Sequence, residues 1–169
     1  MSDINVDDFY KDAARALVTL YSVFPRRHTL FVEDVCGPQE PDEFGVHGNR
    51  HLACFHALLW LAEEGLIRYA DTIRQEALDQ VVLTGRCFTL LSASAPELSA
   101  ESVSAPESGI ASDGGAAAPS TTTDALPPSV RLERSTRISV LRAALKSRSS
   151  LQVRNVMLNL LEQSTRPGH

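Results

Sequence analysis

The stretch His51-Leu-Ala-Cys-Phe-His-Ala-Leu-Leu-Trp-Leu-Ala-Glu-Glu-Gly-Leu-Ile-Arg-Tyr69 decides the fold. Its apolar residues recur at helical spacing, Gly65 stands where a left-handed residue ends a helix, and Leu66-Ile67 opens an extended run. A helix is therefore expected from Asn49, as N-cap, to Glu64. At about 100° per residue, its apolar arc holds His51, Leu52, Cys54, Phe55, Leu58, Leu59 and Ala62, with Leu61 at the edge. The opposite arc holds Asn49, Arg50, Ala53, His56, Ala57, Trp60, Glu63 and Glu64, and it is what a ligand would meet.

Working outward, Phe9, Ala13, Ala16, Leu17, Leu20 and Phe24 make one stripe of a helix over residues 5–24, which Pro25 ends. Thr29 to Val35 is a short apolar piece, readable as a strand, a helical turn, or one followed by the other. Residues 37–48 hold two prolines and three glycines and read as a loop. Downstream of the central helix, residues 66–69 and 81–84 read as a two-stranded hairpin joined by a polar connection, with a short helix over 85–92.

Composition divides the rest. Every aromatic side chain lies before residue 94, so the aromatic core is N-terminal. Residues 94–130 are rich in Ala, Ser, Pro, Gly and Thr and are expected to form a disordered linker. Residues 131–169 carry two amphipathic stripes, Ile138, Leu141 and Leu145, then Val153, Val156, Met157, Leu160 and Leu161, with Ser135 and Ser149 or Ser150 as caps. Some 30 residues cannot bury a core alone. This hairpin must dock on its own body, a second copy, or a partner. Charge follows the same division: eight cations against fourteen acids before residue 96, none against five over 96–130, and eight against two after 130. An acidic body with a basic tail implies self-docking or an acidic partner.

The order helix, short element, helix, strand, turn, strand resembles a winged helix-turn-helix domain. The wording "LLWLAEEGLIRY" at 58–69, followed by "VVLTGRCFTLL" at 81–91, is similar to the recognition helix, wing and following helix of bacterial winged-helix regulators. The resemblance covers residues 7–92 and implies an α+β, mainly α, fold with a two-stranded wing in residues 1–93. It also implies a dimeric, DNA-associated regulatory protein of bacterial or mobile-element origin. The alternative is an adaptor that presents Trp60 and the C-terminal hairpin to other subunits of a complex. The loop from Gly37 to Gly48 is about three times longer than the usual turn between the second and third helices.

For either role the residues that face a ligand are Asn49, Arg50, Ala53, His56 and Trp60, supported by Arg26, Arg27, Arg68 and Arg74. Arg137, Arg142, Lys146, Arg148 and Arg154 supply contacts from the tail. Trp60 is either an interface anchor or packs beneath the long loop, against Phe44, or beneath the C-terminal hairpin. His47, His51, Cys54 and Cys36 lack zinc-type spacing, and a core histidine bonded to backbone suits His51 better than a metal. Cys36, Cys54 and Cys87 have no base arranged beside them, and no nucleotide or nucleophile motif occurs. The expectation is therefore a non-enzymatic protein with no cofactor and no metal. With reduced thiols, no signal peptide and no membrane span, it is expected in the cytoplasm, with DNA, a protein partner or a second copy as ligand.

Overall fold

The computed structural model describes residues 4–39, 43, 46–95 and 135–165. The elements run α1 (Ile4–Val23), β1 (His28–Phe31), α2 (Val32–Cys36), α3 (Asn49–Glu63), β2 (Ile67–Arg68), β3 (Asp71–Ile73), β4 (Ala77–Leu83), α4 (Gly85–Ser92), α5 (Arg137–Ser147) and α6 (Ser150–Thr165). The protein is α+β and mainly helical, with one small antiparallel sheet. No helix among the described residues is long and apolar enough to cross a membrane. Most of the expected linker, from residue 96 on, lies outside the described residues, as does Phe44.

The helix of the opening stretch ends as its glycine demands. Gly65 has φ +69°; its N–H donates to the Ala62 carbonyl at 3.0 Å, and the Leu66 N–H donates to the Leu61 carbonyl at 3.0 Å. This paired closure needs a left-handed residue, which glycine supplies without Cβ strain. Thr84 then ties the exit of α3 to the start of α4: its hydroxyl donates to the Gly65 carbonyl at 2.9 Å and accepts from the Cys87 N–H at 3.2 Å.

Three expectations need correction. The N-cap of α3 is Gly48, not Asn49, and the Gly48 carbonyl accepts the first helical bond from Leu52 N–H. The cap of α5 is Thr136, not Ser135, since the Thr136 hydroxyl accepts from Ser139 N–H. The hairpin has more strand than expected: β4 begins at Ala77 and is flanked by β1 on one side and by β2 and β3 on the other. The turn between β3 and β4 places Arg74 and Gln75 at φ +44° and +62°. That is the twist a tight hairpin requires, reached without the Asn-Gly or Asp-Gly pair that would have announced it.

A bulge sets which side of β4 faces inward. His28 pairs with Val81 but Leu30 pairs with Leu78, so β4 carries one extra residue in this interval, and Gln80 sits there at φ +51°. The inward positions thus shift from Leu78 to Val81 and Leu83, all at most 1% exposed. Without the bulge, Val81 and Leu83 would turn to solvent.

The two C-terminal helices complete the core of the body. Ala95 N–H donates to the Ser135 carbonyl at 2.7 Å and Arg137 N–H to the Ala93 carbonyl at 3.0 Å, so the chain re-enters beside the end of α4. From there α5 and α6 pack against α1 and α4. Ile138, Leu141, Val153, Val156, Met157 and Leu160 join Leu17, Leu20, Leu58 and Leu91 in one buried cluster. Of the three docking surfaces open to the hairpin, the chain's own body is the one it occupies. A Met157→Ala variant should lower stability by about 2–5 kcal/mol. Urea unfolding followed by Trp60 fluorescence should shift with the loss of helical signal in one transition. A Trp60 midpoint untouched by this change would separate the tail from the body.

Candidate functional site

Arg50, expected on the ligand-facing arc, is bound within the protein. Its two terminal nitrogens reach both oxygens of Asp12 at 2.6 and 2.7 Å, and its Nε lies 3.4 Å from Asp8 Oδ2. Asp12 is 1% exposed on α1, and a carboxylate removed from water needs such a bidentate partner. The same bond holds the arginine firmly in its charged form, since Asp12 accepts from the guanidinium and its charge attracts it. The pair joins α1 to the first turn of α3 and borders a recess of about 220 Å³ with Asn5, Phe9, Asn49 and Ala53.

The rest of the α3 face is sparse. Asn49, Ala53 and His56 are exposed, and so are Glu63 and Glu64. Ala57, expected on this arc, is buried at 5%. Trp60 is half-buried rather than presented, with Phe9 of α1 edge-on to it at 5.1 Å and 83°. Phe9 of α1 thus supplies part of its cover.

The supporting arginines are divided between two ends of the sheet. Arg27 donates to Gln80 at 3.4 Å and Arg68 pairs with Val82, with Arg26 exposed beside them. Arg74 is in the turn before Ala77, at the opposite end of β4, a separation of roughly 20 Å along the strand. The first turn of α3 lies at the Arg74 end, because His51 Nε2–H donates to the Gln75 carbonyl at 2.8 Å. His47 stacks on His51 at 3.9 Å and 8°; rings in parallel planes cannot both point a lone pair at one ion. Of these four arginines, only Arg74 lies at the end of the sheet that meets the first turn of α3.

Two tail cations are also engaged. Arg142 donates to Ser22 Oγ at 3.1 Å and lies 5.6 Å over the Tyr21 ring. Arg154 lies 4.0 Å from Asp7 and 6.0 Å over the Tyr10 ring. Arg137 is half-buried, while Lys146 and Arg148 are exposed.

What the sequence did not disclose is an apolar row on the outer face of the sheet. Phe31 and Ile73 pair with Ala77 from opposite sides, and directly paired residues share a face. Phe31 and Ile73 are 47% and 40% exposed, and Val46, beside His47, is 58% exposed. Two positions along, the same face carries Asp79 opposite Asp71, with Thr29 donating to Asp79 at 2.8 Å. Reading Thr29–Val35 as one apolar piece hid this, because Leu30, Val32 and Val35 face inward while Phe31 does not.

The three thiols are shifted in one direction. Burial pushes Cys87 up to about 12. Cys54 is raised further by burial and the Asp12 charge, and burial also raises Cys36. Comparison with protein-family models, curated proteins and solved structures finds no match to this chain.

The Asp12–Arg50 pair yields a stability prediction. Asp12→Ala should cost about 3 kcal/mol, the lower end of the range for a broken buried pair, because Arg50 keeps 28% exposure and Asp8 as a partner. Asp12→Leu combined with Arg50→Leu should recover much of that loss in chemical denaturation. A double variant as unstable as Asp12→Ala would mean that shape, not unpaired charge, is what the site requires.

Proposed function

We propose that this chain is a non-catalytic winged-helix module that serves as a protein-binding adaptor, with the outer sheet face and the adjoining start of α3 as its docking surface. The order α1, β1, α2, α3, β2, β3, β4, with β4 between β1 and β2, is what supports the winged-helix reading, the β3–β4 hairpin being the wing. The observation that carries the adaptor reading is the exposure of Phe31 and Ile73 on either side of buried Ala77, next to Asp71 and Asp79. Exposed apolar side chains gathered at one place are a mark of protein interfaces. With Glu33, Asp34 and Glu76 also exposed nearby, the fitting partner has an apolar centre and a basic rim.

A DNA-associated regulator is the second reading, favoured by Arg74 at the tip of the hairpin and by Asn49 and His56 on α3. Phosphate-driven binding must weaken steeply with salt, so duplex titrations at about 50 and 200 mM salt separate the two. Under the adaptor reading no duplex binds at micromolar protein. A photo-crosslinker at position 73 should capture a discrete protein from the native cell extract, one at Leu151 should not, and Phe31→Asp should abolish the capture without lowering thermal stability. Salt-sensitive duplex binding that Arg74→Ala weakens would replace the adaptor with the regulator.

A further inference from the structure

A second surface, between α1 and the C-terminal helices, has a different chemistry. The α5–α6 turn and α1 border an open recess of about 390 Å³ lined by Lys11, Arg15, Leu145, Arg148, Ser149 and Val153. Three of these six side chains are cationic and none is acidic. Arg15 commits one Nη to the Val35 carbonyl at 2.8 Å. Lys11 lies 4.0 Å from Asp8, whose charge is shared with Arg50. Arg148 is exposed, and among the described residues its guanidinium has no partner. Ser149 immediately precedes α6, which adds the positive end of that helix to the rim.

We propose that this recess binds a small phosphorylated molecule through Lys11, Arg15 and Arg148. A phosphate group offers about two negative charges and three acceptor oxygens to cations that line the recess from separate elements. Leu145 and Val153 provide apolar wall for the organic part of the ligand, and the volume lies within the roughly 300–1,000 Å³ of small-molecule pockets. A local recess suits a free ligand better than a nucleic-acid backbone, which would require an extended basic stripe. The site shares no residue with the sheet face, so each stands or falls alone.

Arg148 permits a clean test. It caps α5 at φ +56°, where glycine is the favoured residue, so Arg148→Gly removes the cation without harming the fold. The full chain is titrated with sodium pyrophosphate, by calorimetry and thermal shift, against sodium chloride at equal ionic strength. Pyrophosphate should bind and raise the melting temperature, and chloride should not. Arg148→Gly and Lys11→Gln should each weaken pyrophosphate binding about tenfold, while unliganded Arg148→Gly melts no lower than the parent. A chloride response equal to that of pyrophosphate, or unchanged affinity in both variants, would overturn the site.

Discussion

Asp12 is the constraint on which the other arrangements depend. An ionised carboxylate with 1% exposure in the middle of α1 is costly unless a cation meets it in good geometry, and Arg50 meets it with both terminal nitrogens. Meeting it fixes where the first turn of α3 crosses α1. The same bond removes from α3 the one arginine that would have faced a nucleic acid. A choice made for folding therefore reaches the function: the helix that opens the functional question is left with Asn49, His56 and two terminal glutamates as its exposed polar groups.

Around that pair, α1 is enclosed on most of its circumference. Ala13, Ala14, Ala16 and Leu17 are each fully buried, and the helix packs against α3, α2 and the sheet as well as α5 and α6. Small side chains let neighbouring helices approach closely, which is how a 20-residue helix can serve as the centre of so small a protein. Without α5 and α6, the α1 surface that they cover would be left wet. This gives a physical reason for the basic tail: Arg142 and Arg154 lie over Tyr21 and Tyr10 and meet Ser22 and Asp7 at the edges of the apolar contact.

Much of the architecture was legible because it is local. The stripe in α1, the Gly65 stop, the short α4 and the amphipathic tail all follow from residue spacing, and each stands within a residue or two of its expected place. What escaped depended on partners distant in sequence. Nothing near Arg50 signals that Asp12, 38 positions earlier, will claim it. The Arg74-Gln75 turn lacks turn residues, so β3 and the first half of β4 read as polar connection. The bulge at Gln80 breaks the alternation of β4, so a period-two reading loses the strand between Leu78 and Val81. Arg26, Arg27 and Arg68 looked like companions of Arg74 until the register placed them at the other end of β4.

That register also gives the outer face of the sheet its pattern. From the hairpin end inward it carries an apolar row of Phe31, Ala77 and Ile73, then the facing carboxylates Asp71 and Asp79, and beyond the bulge Val82 with Arg68 opposite and Arg27 near Gln80. Duplex DNA presents negative charge at every step, about one per 1.7 Å of axis. Laid along this face, it would gain at Arg27 and Arg68 but meet two carboxylates and an apolar row before reaching Arg74. A protein surface can alternate apolar and charged groups on the same scale, so the acid row that repels a duplex becomes the feature that selects a basic-rimmed partner.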